Sequence, residues 1–246
     1  MPANLDIAGV THVGGREENQ DRFAVIGGGV VVVADGMGGH AGGALAAELT
    51  VDAATRRLEA DGPIGEDAIA AAFTEANDLV RSERIKRVEE QRMGATLTVA
   101  GLADPSSNEW ILAHVGDSPA YLVSSTAILR LTDDHTVAGE LVRQGAISEA
   151  AAEEHPQRNV LLKAVGAEES IEPDMQRIVV GPGDALVLVS DGISGFVALP
   201  DIRDMVRTAE TSSEAADLLV NAALELESTD NCTAVVVRLL SQEEEP

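Results

Sequence analysis

Short apolar segments that are rich in β-branched residues recur from one end of the chain to the other. Most of them are bounded by Gly, Asp or Pro, as strands are where they meet turns. This pattern predicts a fold in which β-strands supply much of the core. The predicted strands are Phe23–Ile26, Val30–Ala34, Ala95–Gly101, Trp110–Val115, Ala120–Val123, Ala185–Val189 and Thr233–Leu240.

Two pairs of helical patterns, with apolar residues at three- and four-residue spacing, separate these strands. The predicted helices are Ala44–Ala60, Glu66 to about Glu90, Pro200–Ala209 and Ser213–Leu226. Ser212 or Ser213 is the expected N-cap of the last helix. Because strands dominate both ends and the helices come in pairs, we predict an α+β layered sandwich rather than a doubly wound sheet.

The chain shows no internal repeat and no linker that would divide it, so we expect residues 1–246 to form a single domain. Val137–Arg158 is helical in pattern but irregular, and it is predicted to be a surface excursion between strands. The low-complexity tail, Gln242–Pro246, is expected to fray.

The charge balance limits the classes of partner. The chain has 42 acidic and 17 basic residues, a formal net charge of −25, and nucleic acid and anionic membrane surfaces would repel it. A solvated acidic surface explains part of this excess, and bound cations can explain another part. Hydrophobic residues make up 45% of the chain but aromatic ones only 2%, so Val, Ile, Leu and Ala must fill the core.

Several features indicate a cytoplasmic protein. The single cysteine, Cys232, cannot form an internal disulfide, which suggests a reducing compartment. The first residues lack the layout of a signal peptide, and no apolar run approaches the roughly 18 residues of a membrane span. We expect Cys232 to be a small buried residue rather than a nucleophile.

The chemistry is indicated by acids that stand at the ends of apolar strands. Asp35, Asp117 and Asp191 each follow such a strand beside glycine, and Asp230 directly precedes the last strand. One Asp-Gly pair is more simply explained as turn chemistry. Four converging carboxylates would repel one another unless cations bound them, and all-oxygen ligation selects hard ions such as Mg²⁺ or Mn²⁺.

An ordered set of motifs resembles the metal-dependent Ser/Thr protein phosphatases, the protein phosphatase 2C or PPM type, in its bacterial branch. The resemblance extends over nearly the whole chain. The motifs that carry it are Arg16–Asp21, Asp35–His40, Met93–Thr96, Val115–Ser118, Leu131–Thr136, His155–Asn159, Ser190–Gly192 and Thr229–Asn231.

The resemblance implies a four-layer α-β-β-α sandwich, in which two packed antiparallel sheets are flanked by helix pairs. It implies an enzyme that hydrolyses phosphoserine and phosphothreonine on proteins with metal-activated water and opposes cytoplasmic Ser/Thr kinases. The expected cofactors are two Mn²⁺ or Mg²⁺ ions, with a third, weaker site. We further expect a monomer whose partners are phosphorylated proteins and a kinase, and Val137–Arg158 corresponds to a flap over the site.

The resemblance also assigns the metal ligands. Asp35 bridges two ions, and the backbone carbonyl of Gly36 binds one of them. Asp191 and Asp230 hold the other ion. Two further acids complete the set: Asp21, which reaches the site through water, and Asp117, which joins Asp191 at the third site.

Two more residues receive roles from the resemblance. Arg16 is the expected phosphate anchor, since a guanidinium can bind two phosphate oxygens at once. His40 has two open roles, either general acid for the leaving oxygen or a hydrogen-bond partner of a carboxylate. Gly195 departs from the pattern, because bacterial relatives usually carry an acid there, and this puts metal selectivity in question.

Two alternatives to a protein phosphatase remain. The same site could serve a small-molecule phosphoesterase, and comparing phosphopeptides with small phosphate esters separates the two. The other is a binding module that has lost activity. The intact Arg16, Asp35, Asp191 and Asp230 argue against it.

Overall fold

A computed structural model describes residues 4–38, 41–59, 64–87 and 92–240. Within them, two antiparallel sheets pack against each other between two layers of helices. The predicted α+β sandwich is therefore confirmed. The predicted frayed tail, Gln242–Pro246, lies outside the described residues.

Each sheet draws on strands from both halves of the chain. The first has the order β1-β11-β10-β7-β8 and the second the order β2-β3-β5-β6-β9, with β4 paired to the end of β3. The strands are β1 (Leu5–His12), β2 (Asp21–Ile26), β3 (Val30–Met37), β4 (Gly94–Ala95), β5 (Leu97–Asp104), β6 (Glu109–Val115), β7 (Ala120–Val123), β8 (Ile128–Arg130), β9 (Asp174–Val179), β10 (Ala185–Val189) and β11 (Cys232–Leu239).

The helices cover the outer face of each sheet. α1 (Ala41–Leu58) and α2 (Glu66–Lys86) pack on the second sheet. The first sheet is covered by α5 (Asp191–Ser194), α6 (Leu199–Thr208) and α7 (Ser212–Glu225), whereas α3 (Val137–Arg143) and α4 (Glu149–Glu153) lie in the predicted excursion. No helix among the described residues is long and apolar enough to cross a membrane.

The sandwich explains why the central strands are apolar without alternation. In β3, Val30, Val32 and Ala34 face the layer of α1 and α2, while Val31 and Val33 face the other sheet. Successive side chains of a strand point to opposite faces, so a strand buried on both faces needs an unbroken apolar run. The rigid ends of these strands carry the acids.

The structure adds strands outside the predicted ranges, namely β1, β8 and β9, and it divides the predicted range Ala95–Gly101 between β4 and β5. β9 is an edge strand whose side chains are mostly exposed, and β1 is only partly buried, so neither needs an apolar run. The helix predicted to end near Glu90 ends at Lys86, and Glu90 lies outside the described residues.

The N-cap prediction for the last helix was wrong. Thr211 is the cap: its backbone is extended, and its hydroxyl accepts a hydrogen bond from the backbone N–H of Glu214. Ser212 is already the first helical residue, and its N–H and hydroxyl both donate to Asp6 on β1. An N-cap needs non-helical dihedrals, which excludes Ser212.

Candidate metal centre

Two carboxylates face each other where β2 begins and β3 ends. Asp21 and Asp35 are direct cross-strand partners in the antiparallel register, so both side chains leave the sheet on the same side. Asp21 is only 1% exposed. Like charges in this position repel each other, so the pair needs compensation from the surroundings.

Asp21 receives part of that compensation from hydroxyl groups of the other sheet. Its Oδ2 accepts hydrogen bonds from Ser190 Oγ and Thr233 Oγ1, each at 2.7 Å. Its Oδ1 is buried and has no protein partner. Burial raises the pKa of Asp21 to about 6, despite these two donors.

Asp191 and Asp230 approach from the first sheet. Asp191 begins α5 directly after β10, and its Oδ1 is also buried without a protein partner. Burial, followed by the charges of Asp230 and Asp21, raises the pKa of Asp191 to about 7. Asp230 lies in the loop before β11, beside Asn231, whose N–H donates to its Oδ1 at 2.9 Å.

Asp35 stands in the middle of the acidic group. Its pKa lies well above the usual range, first because of burial and then because of the charges of Asp21, Asp191 and Asp117. The next residue, Gly36, packs so closely on α1 that a Cβ would lie 2.0 Å from the carbonyl oxygen of Gly43. The chain therefore needs glycine here to bring β3 and α1 together.

Asp117 reaches the same group from the loop after β6. Gly116 before it has a φ of +111°, a conformation that favours glycine. The pKa of Asp117 lies well above its usual range because of burial and, next, the charge of Asp191. The structure thus brings together all the predicted acidic ligands: Asp21, Asp35, Asp117, Asp191 and Asp230.

This donor set fits a divalent cation. The unpartnered, buried oxygens of Asp21 and Asp191 are hard ligands, and a cation would remove the repulsion that raises the carboxyl pKa values. Within the described ranges, however, no three acidic, histidine or cysteine side chains gather closely enough to hold an ion alone. Water and backbone carbonyls would have to complete the shell, as is usual for Mg²⁺.

Arg16 does not stand free for a phosphate group. Its Nε donates to Asp230 Oδ1 at 2.9 Å and its Nη2 to Asp230 Oδ2 at 2.6 Å. The pKa of Arg16 is raised, mainly by this hydrogen bonding. The Arg16 side chain is 57% exposed, and an exposed pair of this kind contributes at most about 1 kcal/mol, so it can be exchanged for other partners.

Three residues considered in the sequence analysis remain, namely His40, Gly195 and Cys232. His40 lies outside the described residues. Gly195 follows α5 and is exposed, and its N–H donates to the carbonyl of Asp191 at 2.8 Å. Burial raises the pKa of Cys232, which keeps its thiol protonated and argues against a cysteine nucleophile.

The sequence analysis missed the residue that holds the loop carrying Arg16. Asn231 accepts a hydrogen bond from the N–H of Gln20 at 2.8 Å, and its Nδ2 donates to the carbonyls of Val13 at 2.8 Å and Glu18 at 3.0 Å. Its position next to an acid in an Asp-Asn pair was the available signal. Ser190 and Thr233, the donors to Asp21, were missed in the same way.

Comparisons with known proteins place this chain among similar sequences and structures. The model of the Protein phosphatase 2C family matches residues 8–228. The serine/threonine phosphatase stp of Listeria innocua is 32% identical over 234 residues, which are 91% of this chain and 88% of the relative. The structure of the serine/threonine phosphatase PstP/Ppp of Mycobacterium tuberculosis is 32% identical with a TM-score of 0.88, over 96% of this chain and 99% of that chain.

A second solved structure carries metal. It is the catalytic domain of the serine/threonine protein phosphatase PstP in complex with two manganese ions. It is 30% identical to this chain with a TM-score of 0.86, and the match covers 96% of this chain and 99% of that one. The same fold thus occurs in a protein of similar sequence whose structure holds two manganese ions.

We expect the metal-free chain to lose stability as the pH rises through the range in which these aspartates ionise. Between the ordinary carboxyl pKa near 4 and the value of about 7 for Asp191, the folded chain binds more protons than the unfolded chain, so the free energy of unfolding falls as pH rises. Asp191→Asn removes one such group. In chelator at about pH 7.5, the free energy of unfolding of this variant should exceed that of the wild type by at least about 1 kcal/mol, the equivalent of one pKa unit.

Denaturant titrations in chelator at about pH 5 and about pH 7.5 measure both effects. Asp217→Asn is the matched control, because Asp217 is exposed on α7 and its replacement changes the net charge by the same amount. Equal behaviour of the two variants, or a wild type that gains stability over this pH range, would contradict the account.

Proposed function

Because the chain belongs to the protein phosphatase 2C family, we propose that it hydrolyses phosphoserine and phosphothreonine on proteins with the help of divalent metal ions. The observation that carries this proposal is the group of aspartates where the two sheets end, in which Asp21 and Asp191 each have a buried oxygen without a hydrogen-bond partner. Such a group has no use in the apolar core, but it suits the binding of cations.

The proposed ligands are those that the resemblance assigned. Asp35 and the carbonyl of Gly36 would hold one ion, Asp35 with Asp191 and Asp230 the other, and Asp117 a third, weaker one. The PstP structure with two manganese ions supports the first two sites. When bound, Mn²⁺ or Mg²⁺ lowers the pKa of coordinated water and neutralises phosphoryl oxygens during hydrolysis.

The protein's own residues prepare the site for this chemistry. Ser190 and Thr233 orient Asp21 by donating to its Oδ2, which leaves Oδ1 directed away from protein donors. Thr96 fixes the end of β3, since its hydroxyl accepts from the N–H of Asp35 at 2.9 Å. Protons held by Asp35 and Asp191 in the metal-free chain would be released as cations bind.

Arg16 has a second task in this proposal. When Asp230 turns to a cation, the guanidinium loses its partner and becomes available to two oxygens of the substrate phosphoryl group. The loop that carries it is held by Asn231, next to Asp230, so metal and phosphate sites share one support. His40 is proposed either to protonate the leaving oxygen or to support a carboxylate.

The wider context follows from the same proposal. The substrates would be phosphorylated proteins, and the reaction would oppose Ser/Thr kinases of the cytoplasm. Residues 1–246 would act as one catalytic domain and as a monomer, with residues 137–158 as a flap that contacts substrate. The names of the relatives, which are serine/threonine phosphatases, support the proposed activity on phosphorylated serine and threonine.

Phosphate release from a phosphothreonine peptide tests the proposal. Exhaustive chelation should abolish turnover, and Mn²⁺ or Mg²⁺ should restore it, because the acids are useless without cations. Cys232→Ser is the matched control and should leave the rate nearly unchanged. Full turnover after metal removal contradicts the mechanism, and a strong preference for small phosphate esters over phosphopeptides would favour a small-molecule phosphoesterase.

Replacing Arg16 should weaken the binding of the phosphopeptide and strengthen the binding of Mn²⁺. Arg16→Ala should raise KM and lower kcat/KM for the peptide by about ten- to a hundredfold, since each hydrogen bond to a charged group contributes roughly 1.5–3 kcal/mol. It should also lower the Mn²⁺ concentration for half-saturation, because the guanidinium no longer competes for Asp230.

Arg203→Ala is the matched control, since Arg203 on α6 is paired only with its neighbour Asp204 among the described ion pairs. Steady-state kinetics across Mn²⁺ concentrations measure both quantities. An Arg16→Ala variant that needs more Mn²⁺ than the wild type would show that the pair with Asp230 supports the metal site instead of competing with it.

A further inference from the structure

Both backbone polar groups of Gly116, the residue directly before Asp117, are hydrogen-bonded to histidines. Its N–H donates to His135 Nδ1 at 3.0 Å, and its carbonyl accepts from the N–H of His135 and from His114 Nε2, each at 2.8 Å. A Cβ on Gly116 would lie 2.5 Å from the side chain of Thr96. The backbone of Gly116, which leads into Asp117, is therefore held on both its N–H and its carbonyl side.

The hydrogen bonds determine the tautomer of His135. An amide N–H can only donate, so His135 Nδ1 accepts and carries no proton. The proton of the neutral ring then lies on Nε2, which is 3.2 Å from Asp174 Oδ2. Lys163 holds the other oxygen of Asp174 at 3.1 Å.

His135 also belongs to the base of the proposed flap. Its carbonyl accepts from the N–H of Leu162 at 2.7 Å, Val137 donates to the carbonyl of Val160 at 2.9 Å, and Thr136 forms a β-bridge with Leu161. Residues 135–137 and 160–162, which we call the flap neck, thus pair below residues 138–159. His135 contacts both the neck and the Gly116 peptide.

The loop that carries Gly116 and Asp117 is also hydrogen-bonded to residues that hold β3. Ser118 Oγ lies 2.7 Å from Thr96 Oγ1, which accepts from the N–H of Asp35. The ring of His114 stacks on that of His135 with centroids 5.2 Å apart, and the Nδ1 atom of His114 lies 2.8 Å from Thr98 Oγ1. These polar contacts join the flap neck to the strand that carries Asp35.

We propose that His135 is a positioning residue, which orients Asp117 through the backbone of Gly116 and couples it to the flap neck. Asp117 then binds its weaker cation only while the neck is paired, so an ordered flap and an occupied third site accompany each other. The inference rests on the function proposed above, because it uses the proposed role of Asp117. His135 itself touches neither cation nor substrate.

Two conservative variants separate the contacts of the ring. His135→Asn places an amide oxygen near the position of Nδ1 and keeps an acceptor for Gly116, but it cannot reach Asp174. His135→Gln places its amide near the position of Nε2 and leaves the Gly116 N–H without an acceptor. Val220→Ala, a buried change on α7 in the other helical layer, controls for lost stability alone.

Calorimetric Mn²⁺ titration of the folded variants is the first measurement. His135→Gln should weaken the weakest Mn²⁺ binding event at least tenfold and leave the tighter events within about threefold, while His135→Asn and Val220→Ala should resemble the wild type. A His135→Asn variant that loses as much as His135→Gln would overturn the proposal, as would a wild type with no third event.

Hydrogen exchange on the metal-free proteins is the second measurement, and it requires no activity. His135→Gln should speed exchange in both 114–118 and 137–158, whereas Val220→Ala should not. If the wild type is inactive but the two variants still differ in this way, the phosphatase proposal is refuted and the coupling stands. Unchanged exchange in both segments would refute the coupling alone.

The wild type offers a test without any substitution. Ring ¹⁵N chemical shifts of His135 should report the tautomer protonated on Nε2, as the Gly116 contact requires. A ring protonated on Nδ1 would overturn the proposal even if His135→Gln did not fold.

Discussion

The mutual repulsion of buried carboxylates is the constraint on which the rest of this structure depends. Asp21 and Asp35 face each other across β2 and β3, and Asp191 arrives from the other sheet with an unpartnered oxygen. Burial and mutual repulsion raise the pKa to about 6 for Asp21 and to about 7 for Asp191, so these carboxyls either keep protons or need cations. The hydroxyl donors to Asp21 and the pair of Arg16 with Asp230 both offset this repulsion.

The sandwich brings the acids together without placing them on one continuous segment. β2 and β3 supply one pair, β10 and the loop before β11 supply another, and the turn after β6 supplies Asp117. Because β3, β6 and β10 are rigid and largely buried on both faces, their ends hold these side chains more firmly than surface loops could. The apolar runs therefore determine function as well as stability, since they fix where each carboxylate stands.

Much of this arrangement could be predicted from the sequence, and the failures have physical reasons. Buried strands such as β3 carry an unbroken apolar run that local patterns detect, whereas the exposed edge strand β9 carries no such signal. The acids were found because they end such runs. The pair of Arg16 with Asp230 joins residues 214 positions apart, Asn231 and Val13 are 218 positions apart, and His135 and Gly116 are 19 apart. No local pattern contains these contacts.

The central claim is that cations occupy the space between these aspartates. Anomalous diffraction at the manganese absorption edge, from crystals grown with Mn²⁺, locates such ions directly. The account predicts peaks within about 2.0–2.3 Å of carboxylate oxygens, typical of first-row divalent ions, with Asp35 shared between two peaks and Arg16 displaced from Asp230. Manganese found only elsewhere, with Asp35 and Asp191 unligated and Arg16 still paired to Asp230, would contradict it.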